Sequence, residues 1–396
     1  MSNPAVVKST AAPRKAERLA WPDTARGLSI LGVILLHACL AVPNGMDTLP
    51  AQYNQMISAL RLPLFFLVSG FFSMKILQYS FTQLLAKRLW FFIVPYVLWV
   101  PVEQWLKNVE FEKFHNQPMP DFWFYWDVTV GGRNMYWFLY CLVLCNLGLW
   151  CTRKLEPWIA VALSFLPLTL LVASEWEPIV LNIMVFMPVF FIGAHGRSLI
   201  TWFADRVMYL WGLGVASLSY AAGYVLETLW TLRLQYPVEG WHLPGNILLV
   251  SDDIDVLVKL TVRLLMLPAA IALVVVLSRV PGINKILELM GRHTLVLYLG
   301  HPIALTLLFN FTYRYEEIAF TEETGSLWDS PTLWIGYCIL IAFGGGVLVE
   351  CLKRIPVLSW VVVPRPTPWD VLDKIRSRSK KSVVSGTHDV AVTQRS

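Results

Sequence analysis

Charge is scarce in this chain. Of its 396 residues, 15% are Asp, Glu, Lys or Arg and 56% are hydrophobic, whereas a soluble globular domain is about 25% charged. That excludes an ordinary soluble fold and predicts a polytopic membrane protein, for which length is no guide to domain number. Cysteine is scarce too. All six (Cys39, Cys141, Cys145, Cys151, Cys338 and Cys351) lie in or beside apolar runs without zinc-ligand spacing. They read as packing residues, and no metal site is expected. A G-x-S-x-G elbow, an H-E-x-x-H helix and a phosphate-cradling glycine loop are all missing. Their absence removes the commonest hydrolase, metalloprotease and nucleotide-binding readings. The formal charge of +5 lies mostly at the two ends and in alternate loops, a topology pattern with no expectation of nucleic-acid binding.

What is present is a succession of apolar runs, near 26–42, 57–74, 89–106, 136–152, 157–174, 179–196, 207–226, 256–277, 294–312 and 332–351. Each is close to the ~20 residues that cross a bilayer core. They predict an all-α bundle of about ten transmembrane helices, with both termini on one side. One set of loops carries Lys75, Lys87, Arg88, Arg153, Arg197 and Arg292, and the opposite set carries Glu110, Asp121, Asp127, Glu177 and Asp252. The basic set belongs in the cytoplasm, and the termini with it. The expected organisation is a disordered basic segment over 1–20, a ten-helix domain over 21–352 and a basic cytoplasmic tail over 353–396 that contacts anionic membrane lipids. The first run follows a charged lead without a small-residue cleavage site, so it is expected to remain as a signal anchor. The location is the plasma or inner membrane, multi-pass. Two outer loops, about 107–134 and 227–255, look long and aromatic.

The first run, Trp21 to Val42, carries Arg26 and His37, eleven residues apart. Eleven steps of ~100° return to within ~20° of the start, so both lie on one helix face, ~16 Å apart along the axis. Charged and imidazole side chains are costly in lipid and face protein or water, which makes them functional candidates. A flanking positive charge and a satisfied core histidine are the plainer readings of the same residues. Other polar groups recur at set places in apolar helices: Asp23 and Arg61, Ser69 beside Gly70, Lys87 and Arg88 ahead of a kink expected at Pro95, Trp137, and Tyr298 with His301 on one face. The Ser-Gly pair also suits plain close helix packing.

Taken in order, these residues resemble the membrane-bound acyltransferase-3 family. The resemblance rests on Arg26-Gly27 with His37, Phe65-Phe66 with Ser69-Gly70-Phe71, Lys87-Arg88 with Pro95-Tyr96, Trp137-Phe138-Leu139, and Thr294 with Tyr298 and His301. It spans about residues 21–305. Asp23-Thr24-Ala25 departs from the Asp-x-Leu or Asp-x-Ile of many relatives, and the H-x4-D arrangement of soluble acyltransferases is absent.

The resemblance implies an O-acyltransferase with no bound cofactor. It would move an acyl group, most often acetyl, from cytoplasmic acyl-CoA as co-substrate to a hydroxyl of an extracytoplasmic carbohydrate or glycolipid, such as a trehalose mycolate. Succinyl transfer to periplasmic glucans is the alternative within the family. It further implies His37 and Arg26 as catalytic residues and Lys87, Arg88 and Ser69 as donor-binding. Arg61, Trp137, Tyr298, His301 and Asp23 would line the cavity. An imidazole with an ordinary pKa of ~6.5 can take a hydroxyl proton near neutrality, and guanidinium groups suit the phosphates of coenzyme A. A different class of reading stays open on the residues alone. Intramembrane Arg and His also mark proton relays in exporters of glycolipids or small solutes, although the paired broken helices of inverted repeats are not visible.

Overall fold

The computed structural model describes residues 19–172, 177–236, 238, 240–243, 247–316 and 327–364. The expected disordered lead up to residue 18 and the expected tail from residue 365 lie outside the described residues. The described residues of all ten apolar runs are mainly helical. The elements that build the site are α1 (Trp21–Ala41), α2 (Ser58–Phe71), α3 (Trp90–His115), α4 (Trp137–Cys151), α5 (Pro178–His195), α6 (Leu210–Arg233), α7 (Ser251–Leu265), α8 (Leu267–Leu277), α9 (Ile283–Arg292), α10 (Thr294–Ala304) and α11 (Pro331–Leu352).

Among the described residues, six helices are long and apolar enough to cross a membrane, or seven if α7 and α8, bent by 44° at their junction, form one span. The other apolar runs are a 15-residue α4, a 24-residue α6, and a short helix Pro157–Leu163 that continues as a 3-10 turn over Leu166–Val172. The one sheet among the described residues is an antiparallel ribbon that pairs Trp241 with Leu249 and His242 with Leu248.

The described residues of both stretches expected as long loops are largely helix or strand, and for the first the reason it reads as loop is charge. α3 runs on to His115 through Glu103, Lys107 and Glu110. Their i, i+4, i+7 spacing puts them on one face, and that face points inward: Glu103 and Glu110 are buried. Hydropathy scores such turns as loop, although they are helix packed on protein. Residues 122–131 form a further helix, capped by Asp121, whose carboxylate accepts from the Phe124 amide at 3.1 Å. α3 also runs on through Pro95, the site of the expected kink; the irregular turn lies earlier, a π turn over Leu85–Leu89. Ser359–Val362 is a helical turn against α3, where Trp99 Nε1 donates to the Val361 carbonyl at 2.9 Å.

α1 is central and packs against α2, α8, α9, α10 and α11. Glycine allows the closest of these approaches. A Cβ on Gly27 would lie 1.9 Å from the Leu287 carbonyl oxygen, and one on Gly291 would lie 1.9 Å from the Asp23 carbonyl oxygen. α1 and α9 therefore touch backbone to backbone, which only small residues permit. The same holds between α2 and α5, where a Cβ on Gly70 would sit 1.9 Å from the Phe190 carbonyl oxygen. The packing reading of Ser69-Gly70 thus holds for Gly70. Gly70→Val is expected to cost about 3 kcal/mol or more, the upper end of over-packing, seen as loss of monodisperse protein on heating in detergent. An unchanged melting profile would contradict the contact.

Candidate active site

One face of α1 organises the site. Arg26, Ser29, Ile30 and Val33 line an internal cavity of about 230 Å³. The next residue on that face is His37, and Leu40 and Ala41 beyond it line a second, open crevice of about 370 Å³. Spacings of three and four keep all of these on a single stripe. His37 therefore stands between two chambers along the helix.

The inner cavity opens at a cluster of arginines, Arg26, Arg88 and Arg292. The tight contact of Gly27 with α9 and of Gly291 with α1 places their sequence neighbours Arg26 and Arg292 side by side. Buried Asp23 sits between the two, 3.8 Å from Arg26 and 3.9 Å from Arg292. Arg26 also lies over the Phe72 ring, 4.9 Å from its centre. Arg88 leaves the π turn into the cavity wall, where Nη2 donates to Ser73 Oγ at 2.9 Å and Nε donates to Asn146 Oδ1 at 3.3 Å. Ser73 Oγ in turn donates to the Ser69 carbonyl at 2.6 Å. Guanidinium groups held this way present their remaining N–H donors at set angles, which suits phosphate oxygens. The walls beyond are apolar: Leu62, Phe65, Phe92, Phe138 and Leu142.

At the far end of the cavity stands Tyr298, and His301 is one turn on, its ring 5.9 Å away. His301 is wholly buried, and its Nε2 lies 2.9 Å from Nδ1 of His37, which is half-buried. His301 Nδ1 is 3.0 Å from the Leu297 carbonyl oxygen. A carbonyl only accepts, so in the neutral ring Nδ1 of His301 carries the proton and Nε2 offers a lone pair. His37 Nδ1–H then donates to it, and Nε2 of His37 is left as the basic nitrogen. A chain of two hydrogen bonds sets the tautomer of His37 as the chemistry of a base requires.

The remaining expected site residues are dispersed. Ser69, expected to bind the donor, and Tyr298, expected in the cavity wall, both line the cavity, and the Tyr298 hydroxyl donates to the Met135 carbonyl at 2.7 Å. Asp23 holds the two arginines rather than lining the wall. Lys87 is exposed, its ammonium over the Tyr79 ring at 5.6 Å, outside the cavity. Trp137 stacks on Phe186, centres 5.8 Å apart. Arg61 is buried beside a separate cavity of about 160 Å³ and donates to the Gly32 carbonyl at 3.2 Å and to Asn54 Oδ1 at 2.6 Å. It braces α2 on α1. The motifs did not point to Arg292, Ser73 or Asn146. Arg292 reads as a loop charge, and the one available signal for Asn146 is a lone amide in an apolar run. No group of His, Cys, Asp and Glu among the described residues is placed to hold a metal ion.

A family model described as an acyltransferase domain matches residues 19–350 of the chain. No curated protein matches it, and no solved structure does.

Proposed function

The chain belongs to the membrane-bound acyltransferase-3 family, matched over residues 19–350, and from that premise we propose that it carries an acyl group, acetyl in the first instance, from acyl-CoA at the arginine mouth to a hydroxyl of an extracytoplasmic carbohydrate or glycolipid. The observation that carries this reading is the single stripe of α1: arginines at one end, His37 between two chambers, and an open crevice at the other. In this reading Arg26, Arg88 and Arg292 hold the diphosphate of coenzyme A, and the apolar cavity takes the pantetheine arm. The thioester is delivered toward His37. Succinyl in place of acetyl, and a glucan in place of a trehalose mycolate, fit the same geometry.

His37 Nε2 takes the proton of the acceptor hydroxyl as its oxygen bonds to the thioester carbonyl carbon. The carbon–sulfur bond then breaks, and the departing thiolate takes the proton back from His37. In an alternative order His37 Nε2 attacks the thioester and expels the CoA thiolate, and the acceptor oxygen later displaces the imidazole from the acyl carbon, its proton passing to the freed Nε2. In this reading the basic end of the bundle faces the cytoplasm, which its loop charges favour. Ten crossings of the inner or plasma membrane, some of them short, then put both termini inside.

The test is protein reconstituted in vesicles with labelled acetyl-CoA on the arginine side. Label on the hydroxyl of an added glycolipid supports the reading. Solute flux without covalent transfer would favour an exporter instead. Within the same assay, Arg88→Ala is expected to raise the KM for acetyl-CoA about tenfold or more, since a charge-assisted bond contributes about 1.5–3 kcal/mol. The acceptor KM should stay nearly constant. An unaltered donor KM would take Arg88 out of this role.

A further inference from the structure

The crevice beyond His37 contains a polar network that the donor chemistry does not use. Its lining includes Leu40 and Ala41 of α1, Lys107, Glu110 and Phe111 of α3, and Asn310, Tyr313 and Arg314 of the span that continues α10. Glu110 is buried, and each of its oxygens has a partner: Arg314 Nε donates to one at 2.9 Å, and Asn310 Nδ2 to the other at 3.0 Å. Lys107 lies 2.7 Å from buried Glu103, which also accepts from Gln104 at 2.7 Å. Holding ion pairs away from water is expensive, and an apolar wall of the same shape would be as stable or more so. The network sits on an open chamber, not in a closed core. The π turn Leu305–Asn310 ends on one of its members, and such turns gather at functional sites.

Its chemistry is specific. The lining itself holds two cations and one carboxylate; counted with Glu103, buried behind Lys107, the charges balance, so the group as a whole gives no strong preference for an ionic ligand. Lys107 has three N–H donors and Arg314 five, more than their carboxylate partners use. Carboxylate oxygens accept from paired hydroxyls, and Asn310 can do both. Phe111, exposed on the crevice, supplies a ring against which the C–H face of a sugar can lie, whereas the Tyr313 ring packs against Phe309 and the Arg314 guanidinium. The volume of about 370 Å³ is that of a small-molecule site. Leu40 and Ala41 place it about one helical turn from His37.

We propose that this crevice is the acceptor subsite and that it binds an uncharged pyranose with adjacent hydroxyls, free or as a glycolipid headgroup, through Lys107, Glu110, Asn310 and Arg314. The proposal rests on the acyl-transfer reading only for what happens after the sugar is bound. Binding can therefore be tested without a donor.

The experiment uses the full chain in vesicles with Cys151 and Cys351 replaced by serine and Ala41→Cys introduced as a reporter. The rate of maleimide labelling at position 41 is followed by mass spectrometry. Methyl glucoside at millimolar concentration, or a glucosyl diacylglycerol built into the vesicle, is expected to slow labelling at least fivefold. Glucuronate and glycerol should not. Slowing by the soluble glucoside shows that the sugar alone suffices; slowing by the glycolipid alone shows that the lipid is part of the ligand. Asn310→Leu, and independently Glu110→Gln, should abolish the protection. Labelling that no glucoside slows would overturn the proposal, as would full protection in both variants. Protection without acetyl transfer would keep the crevice and remove the transfer reading. Transfer to a glucoside that never protects position 41 would do the reverse.

Discussion

Replacing His37 by alanine is expected to lower turnover by about 10²-fold or more, the usual scale for loss of a general base, while the protein still inserts and folds. The side chain is half-buried at the boundary of two chambers, so its removal opens little new void in the core. The measurement is acetyl transfer in vesicles, beside a thermal melt of the same preparation. A well-folded His37→Ala protein with near wild-type turnover would end the assignment of this residue and, with it, of the stripe. The wild type separates the two orders of events. With labelled acetyl-CoA and no acceptor, an acyl-histidine route releases one free CoA per site and leaves label on the protein. A base mechanism gives no such burst.

The second large effect is expected at His301. On sequence it ranks as one more lining residue, and the structure puts its Nε2 2.9 Å from the His37 ring. In the proposed mechanism His301 acts through His37, as a positioning residue. Removing it leaves the His37 Nδ1 proton without its acceptor and frees the ring to adopt the other tautomer, with the proton on the nitrogen that has to be basic. In a serine-protease triad, loss of the equivalent tautomer control costs about 10⁴-fold. Here, where the second ring is neutral, His301→Ala is expected to cost on the order of 10²-fold in kcat with little change in donor KM. His301→Gln restores an acceptor oxygen near Nδ1 of His37 and should recover a good part of that loss. If glutamine and alanine are equally poor, the role of His301 is packing. If both are fully active, the hydrogen bond has no part in turnover.

Much of the architecture was legible in the residues themselves. Runs of apolar residues near bilayer length identified the helices, and the eleven-residue spacing of Arg26 and His37 put them on one face without any knowledge of neighbours. What misled was hydropathy at the ends of spans. The last turns of α3 read as loop because Lys107 and Glu110 are charged, yet each meets a partner inside the fold. The run at 157–174 reads as a span, but it breaks after Leu163 into a 3-10 turn.

The sequence alone therefore determined a helical, membrane-embedded acyltransferase-3 protein with Arg26 and His37 aligned on its first helix. These follow from composition, and from a period that every helix obeys independently of its surroundings. Tertiary structure decided which of the other candidates join that pair. Arg88 and Arg292 come to Arg26, Lys87 and Arg61 do not, and His301 meets the His37 ring. Such contacts depend on how each helix is rotated and how deep it sits against its neighbours. Both are set by backbone approaches such as Gly27 on α9 and Gly70 on α5. No spacing within a single segment records them.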